Sequence, residues 1–476
     1  MVTAECAPLA KVGGLADVVG ALPKALLKLG AEIKIILPFY GLIDQKKFPV
    51  KKLINKIGLQ TGEGKENFSL WEYTEDKTGL IILLVQHRYF NSKKIYRHGR
   101  IGTAKKYSRG AEDIKRFAFF SLAALAAIKT LDWRPDVIHC HDWHTALIPD
   151  YLKTLYKSDP IFKKTRTLYT IHNLANQGMV GPEIIGYTKL DPSLPIIKAD
   201  LKNGDINFMV QGILSADLIN TVSPTYAKEI LHHYEGAGLE KVLAKRRKQL
   251  SGIINGIDTD DFDPKTDPLI DTNYDLNHLA LKNNNKLKLQ AEAGWRPDKK
   301  TAVIGIVSRL VWQKGLDLLT DKLVALPCQF IILGSGMRDI ENNLLNLAKK
   351  YPNKFFVKIG FDLKLAQIIY AGADLFLMPS RFEPCGLSQL VAMRYGSIPI
   401  VRKTGGLKDT VTARTGFLFN HYTQESLEKA LRSALNTYYK KPAAWLKLQQ
   451  NCLKQDFSWS KSAKNYLKLY NKLIKG

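Results

Sequence analysis

The apolar run Leu375-Phe-Leu-Met378 is short and unbroken, without the alternation of a half-exposed strand, and reads as a parallel strand buried on both faces. A turn follows, Pro379-Ser-Arg-Phe-Glu-Pro-Cys-Gly-Leu-Ser388, and then a helical pattern through Leu390, Ala392 and Met393 to Tyr395. A buried parallel strand needs helices on both of its faces, so this stretch commits its surroundings to an α/β architecture. It also places a carboxylate, Glu383, in a strand-to-helix turn. Pro384 suits the first helical position because it has no N–H to leave unpaired. The N–H groups of Gly386, Leu387 and Ser388 would then point outward with the positive end of the helix behind them, a seat for an anion beside an acid. An ordinary strand-helix junction is the competing reading of Glu-Pro alone.

Similar strand-and-helix alternation recurs in two series. Ile33–Leu37, Ile81–Val85, Asp136–His141, Thr167–Thr170 and Leu218–Val222 precede a polar segment, 258–285, rich in Asp-Pro and Asn, that reads as a linker. Ala302–Val307, Gln329–Leu333, Leu375–Met378 and Ile398–Val401 follow it. A chain of 476 residues exceeds one core and suits two or three domains. The expected fold is α/β: two doubly wound parallel sheets with ligands in a cleft beyond the carboxyl ends of the strands. The expected division is 1–262, 263–455 and a terminal helix within 456–476.

Composition narrows the function classes. The cysteines, Cys6, Cys140, Cys328, Cys385 and Cys452, are odd in number and scattered, which fits a reducing cytoplasm and neither a zinc site nor a disulfide framework. Phe117–Ile128, the most continuous apolar stretch, falls short of the roughly 20 residues that cross a bilayer and reads as a buried helix. No export signal is visible, and no membrane partner is expected. The net charge of +26 is spread along the chain without a nucleic-acid module, so any nucleic-acid binding is expected to be nonspecific and lost by physiological salt. An anionic substrate would still be drawn in.

Other stretches carry chemistry. Lys11-Val-Gly-Gly-Leu-Ala-Asp17 puts Gly13 and Gly14 ahead of an amphipathic helix with Val18, Leu22, Leu26 and Leu29 on one face, a second anion seat. The run Asp136–His144 is a buried strand that ends in a cluster of titratable groups, His139, His141, Asp142 and His144. Their alternation along a strand argues against a metal, and none is assigned. A lone His172 follows the strand Thr167–Thr170. Arg309 and Lys314 lie in a loop before a helix, a planar fork and a mobile point charge suited to two phosphates. The basic, polar stretch 87–113 reads as a surface loop.

The run Ser-Arg-Phe-Glu-Pro-Cys-Gly-Leu, with Gln389-Leu390 and Arg394-Tyr-Gly396, resembles the donor-sugar motif of bacterial glycogen synthases and plant starch synthases, which elongate α-1,4-glucans from a nucleotide-activated glucose. Lys11-Val-Gly-Gly-Leu-Ala-Asp17, the His-Asp-Trp at 141–143, the turn Ile171-His-Asn-Leu-Ala-Asn-Gln-Gly178 and Ser308-Arg-Leu-Val-Trp-Gln-Lys-Gly315 resemble the same family in the same order. The resemblance implies the two-domain GT-B architecture, with a helix from Ser460 packed back on the first domain. It implies a retaining transfer of glucose from ADP-glucose to the 4-OH of an α-1,4-glucan, without cofactor or metal. Glu383, His172, Arg309, Lys314 and Asp142 would be catalytic, the His172 carbonyl lying below the anomeric carbon. Lys11, Gly13, Gly14, Arg309, Lys314, Cys385, Gly386, Leu387 and Ser388 would hold the donor, and Asp17 and Asn255 would face the acceptor side. The sequence departs from the family where Glu112-Asp113 replace an Asp-Asn pair, Asn176 a tyrosine and Val210 a lysine, and where Thr412-Ala-Arg-Thr-Gly416 lacks an inserted loop. UDP-glucose or another acceptor is the alternative. A phosphorylase would need a lysine in a pyridoxal context, which the sequence does not show, and a silent scaffold would not need Glu383, Arg309 and Lys314.

Family members also carry apolar residues ahead of the stretch equivalent to Val2-Thr3-Ala4. This implies a late or truncated start at Met1, a stunted first strand and a loosely held Gly13-Gly14 loop. Four or five apolar residues added upstream should raise Tm, and an unchanged Tm would count against the idea.

Overall fold

A computed structural model describes residues 1–97 and 111–475. Residues 98–110, about half of the stretch expected to form a surface loop, lie outside the described residues. Its flanks are a short 3-10 turn, Arg88–Phe90, and a helix, Ala111–Thr130, that contains the apolar stretch Phe117–Ile128 and buries nearly all of it. The chain divides into two compact units. The first comprises Met1–Val222, Ala227–Ile253 and Trp459–Gly476, and the second comprises Ser223–Tyr226 and Ile254–Ser458. The main breaks therefore fall at 253/254 and 458/459, against 262/263 and 455/456 read from the sequence.

In the first unit β1 (Lys34–Pro38), β2 (Lys51–Thr61), β3 (Gly64–Thr74) and β4 (Ile81–Gln86) form a sheet in the order β1-β4-β3-β2. β1 and β4 are parallel, whereas β2 and β3 are antiparallel, a hairpin edge absent from the sequence reading. β5 (Val137–His141), β6 (Arg166–Ile171), a short pair β7 (Met179–Val180) and β8 (Ile206–Asn207), β9 (Leu218–Thr221) and β10 (Leu250–Gly252) follow. β10-β9-β6-β5 is a second, fully parallel sheet. Val2 joins the two, bridging Ile36 on β1 and Cys140 on β5 in parallel, so Met1–Thr3 occupy the central strand position. Against this sheet packs the helix Trp459–Lys475. Trp459, Ala463, Tyr466, Tyr470 and Leu473 recur at helical spacing, and they share one apolar cluster with Val18, Leu22 and Leu26 of the helix Gly14–Leu27.

The second unit holds β11 (Ala302–Val307), β12 (Cys328–Gly334), β13 (Phe355–Ile359), β14 (Leu375–Met378), β15 (Ile398–Arg402) and β16 (Phe417–Phe419), all parallel, in the order β13-β12-β11-β14-β15-β16. The strand order reverses between β11 and β14. The loops leaving those two strands therefore lie side by side at the carboxyl edge, where doubly wound sheets bind ligands. The segment read as a linker is instead part of this unit. Tyr395 donates its hydroxyl to buried Asp267 at 2.6 Å, Tyr274 donates to the Tyr395 carbonyl at 2.7 Å, and Arg394 pairs with Asp263 at 2.6 Å. The aspartates and asparagines that looked solvated are anchors for the turn of chain into the unit. Among the described residues no helix is long and apolar enough to cross a membrane.

Candidate functional site

The loop after β11 and the loop after β14 are stitched together through their backbones. Arg381 N–H donates to the Gln313 carbonyl at 2.8 Å, and the Gln313 amide donates to the Phe382 carbonyl at 3.2 Å. This brings together two candidates 69 residues apart in sequence: Lys314 Nζ lies 2.6 Å from Glu383 Oε2, and Ser380 Oγ donates to the same oxygen at 3.0 Å. Glu383 is buried and Lys314 mostly so. The approach depends on glycine at Gly315, where φ is +69° and a Cβ would stand 2.1 Å from the Pro379 carbonyl oxygen. It depends equally on Gly406, where a Cβ would stand 2.2 Å from the Cys385 carbonyl oxygen, and whose N–H donates to the Glu383 carbonyl at 3.0 Å.

The helix after Glu383 begins at Ser388, with Leu387 as its N-cap. Pro384 is thus not the first helical residue as expected; it lies four residues earlier in an irregular turn. The turn is shaped by Gln389, whose side-chain amide donates to the carbonyls of Cys385 and Gly386 at 3.1 and 2.9 Å and to Thr410 Oγ1 at 3.2 Å. Those interactions bend the chain back before the helix can start. Cys385 is buried, and burial pushes its thiol up to about 12, opposed by the backbone N–H of Asn255. Asn255 is buried in this second unit, its backbone N–H against the Cys385 thiol of the donor motif. Ser388 Oγ donates to the Val307 carbonyl at 3.3 Å. Arg309 is exposed at the end of β11. Beyond β13 stands Phe361, 88% exposed on the same edge of the sheet, which the sequence reading passed over.

In the first unit Gly13 is the N-cap of the helix Gly14–Leu27, as expected. The N–H groups of Val12 and Gly13 both donate to Glu5 Oε2 at 2.8 Å, and Tyr96 donates to Glu5 Oε1 at 2.6 Å. Glu5 had no signal in the sequence, since two of its partners are backbone N–H groups, which no side-chain pattern reveals, and the third, Tyr96, is remote in the chain. Lys11 and Asp17, read as facing different substrates, pair with each other at 2.5 Å at the surface. Glu112 pairs with Arg97, and Asp113 with the fully buried Arg116.

Asp142 ends β5 with φ at +55°, an unusual value for a residue with a Cβ. Its carboxylate accepts the N–H of His172 at 2.7 Å and that of Asn173, pinning the turn after β6. Burial pushes its carboxyl up to about 7, while those two N–H groups pull it down. A carboxyl held above its unfolded value adds stability at low pH and loses it as pH rises through the folded value. Asp142→Asn should therefore flatten a fall in wild-type unfolding free energy between about pH 4 and pH 7, measured by urea denaturation. An identical slope in both proteins would refute the assignment.

The histidines cluster, but as packed rings. His139 and His141 are two apart on β5, so they share a face, with centroids 4.0 Å apart. His139 bonds Tyr470 Oη and Thr170 Oγ1, both at 2.7 Å, and His141 Nδ1 lies 3.0 Å from His172 Nε2. His144 stacks on Tyr96. Burial lowers all four, His144 and His172 to about 3, so they are neutral near pH 7. Among the described residues no three His, Cys, Asp or Glu side chains gather to hold a metal.

Residues 1–245 match the starch synthase catalytic domain family and residues 289–451 match glycosyl transferases group 1. The chain is 42% identical over 488 residues to glycogen synthase of Thermotoga maritima, covering 99% of this chain and 98% of that protein. It is also 42% identical over 493 residues to glycogen synthase of Thermodesulfovibrio yellowstonii, covering 100% and 97%. Among solved structures it is similar to the catalytic domain of starch synthase IV from Arabidopsis thaliana bound to ADP and acarbose, with a TM-score of 0.90, 34% identity and coverage of 100% and 99%. A sucrose-phosphate synthase from Thermosynechococcus elongatus, 17% identical with a TM-score of 0.58, shares the fold. With two Rossmann-like units, and relatives that match from end to end, the chain belongs to the glycogen synthase and starch synthase family of GT-B hexosyltransferases.

Proposed function

We propose that the chain transfers glucose from ADP-glucose to the non-reducing 4-OH of an α-1,4-glucan, with retention at the anomeric carbon and release of ADP. The observation that carries this reading is the Lys314–Glu383 pair, set where the strand order reverses between β11 and β14. The glucosyl–phosphate bond breaks early and leaves positive charge on the sugar and negative charge on ADP. Arg309 and Lys314 meet the diphosphate, helped by the backbone N–H groups of Cys385 to Ser388, and no cofactor is assigned. Glu383 and, in the first unit, the His172 carbonyl stabilise the sugar. Such preorganised groups are worth about 3 kcal/mol each in the transition state. No covalent nucleophile is assigned, since the double displacement of retaining glycosidases would need a second carboxylate at the anomeric carbon. Asp142 acts through the His172 turn. Lys11 lies toward the phosphates, and Asp17 toward the glucan, once their mutual ion pair opens.

The structure of a starch synthase holding ADP favours ADP-glucose over UDP-glucose. Release of ADP or UDP from each glucose nucleotide, with and without glycogen, tests the reading; glycogen-independent release, or release from UDP-glucose alone, would sink it. Phe361 offers the base an exposed ring at the carboxyl edge. Phe361→Ala should raise the donor KM roughly tenfold with little change in kcat, the size of one lost base–aromatic stack. An unchanged KM would remove the ring from the base site.

A further inference from the structure

The turn after β6 holds His172 twice. Its backbone N–H is taken by Asp142 at 2.7 Å, and its ring Nε2 faces His141 Nδ1 at 3.0 Å. Both rings are neutral near pH 7, because burial lowers both. A single proton therefore lies between the two nitrogens, and it can belong to either ring. If it belongs to His172, then His141 must carry its own proton on Nε2. That atom is buried and has no hydrogen-bond partner among the described residues, so an N–H would be stranded there. If it belongs to His141, the stranded atom is only a bare lone pair. Orphaned buried N–H groups are rarer and more costly than unmet acceptors, and the second arrangement wins.

His141 cannot escape the choice by turning its ring. It is fully buried, its ring lies against that of His139, and His139 is fixed in turn by Tyr470 and Thr170. Its backbone N–H is held by Thr145 Oγ1 at 2.7 Å. His172, by contrast, is partly exposed.

We infer that His141 is a positioning residue that fixes His172 as the Nδ1–H tautomer, so that the exposed edge of the His172 ring offers a hydrogen-bond donor to a hydroxyl oxygen of the bound sugar. The inference deepens the functional reading above and rests on its placement of His172 beside the donor sugar. With the wrong tautomer the same edge offers a lone pair. The sugar hydroxyl would then have to reverse its own hydrogen bond, at the cost of a partner elsewhere.

Long-range proton–nitrogen spectra of the wild-type enzyme with isotopically labelled histidine rings decide the tautomer directly, the His172 signals being assigned by their loss in His172→Asn. The expected result is a protonated Nδ1 and a bare Nε2. His141→Leu, which fills space without a donor, should shift this signature and lower kcat roughly tenfold, the effect of one hydrogen bond, with the glucan KM unchanged. His141→Asn, whose amide nitrogen can stand in for Nδ1, should recover most of the loss. A wild-type His172 protonated on Nε2 would overturn the inference even if the variants failed to fold, and so would wild-type turnover in His141→Leu. Wild-type kcat in His172→Ala would instead remove the sugar contact itself, while leaving the tautomer readable in the spectra.

Discussion

Glu383→Gln is expected to lose roughly 10²-fold or more in kcat, with donor KM close to wild type, the pattern of a contact made chiefly in the transition state. Glutamine keeps the size of the side chain, and its carbonyl oxygen can still accept from Ser380 and Lys314, which both meet Oε2 in the native site. What it removes is negative charge where the sugar becomes positive. The substitution should therefore spare the fold, and Tm should move little. Steady-state kinetics with thermal melts checks both halves. If kcat stayed intact while Tm fell, the carboxylate would be a structural partner of Lys314, and the mechanism would lose its central residue.

Lys314→Ala should behave differently on every axis. A phosphate contact present both before and during bond breaking serves ground state and transition state alike, so donor KM should rise along with a fall in kcat. Stability should fall too, by about 2 kcal/mol, because Glu383 is left in its buried position with Ser380 as its remaining side-chain partner among the described residues. Adding Glu383→Gln to Lys314→Ala should restore part of that stability, since the uncompensated charge is then gone. Urea denaturation of the two single variants and the double variant gives the coupling. Strictly additive losses would mean that the pair does not interact in solution.

The pairing also shows what the sequence could convey. Glu383 in a turn after a buried strand was legible because Leu375–Met378 is unbroken and the pattern after it helical. Gly13 as an N-cap was legible for the same local reason. The helix start after Glu383 was not. Pro384 satisfies the local rule for a first helical residue, but Gln389 and Thr410 hold the turn open for four residues more, and Thr410 is remote in sequence. Glu5 and the bond between His141 and His172 were hidden likewise, because their partners are supplied by other strands and loops. The spacing of His139 and His141 was in plain view, and two residues apart on a strand means one face, which the reading of opposite faces overlooked. The hairpin of β2 and β3 was missed through its polar composition, since most of its residues are at least partly exposed. Asp267, Tyr274 and Asn285 looked like a linker because anchoring polar side chains and solvated ones share a composition.

The helix Trp459–Lys475 belongs to the first unit, yet the ribosome makes it after every residue of the second. Tyr470 reaches His139, and Tyr466 accepts from Asn220 at 3.0 Å, so the parallel sheet β10-β9-β6-β5 lacks this cover until the helix has been made. The second unit, 254–458 apart from the short segment 223–226, emerges almost whole before that moment. Folding on the ribosome should thus run against chain order, the later unit maturing first while the nascent earlier one keeps an open apolar groove along Val18, Leu22 and Leu26.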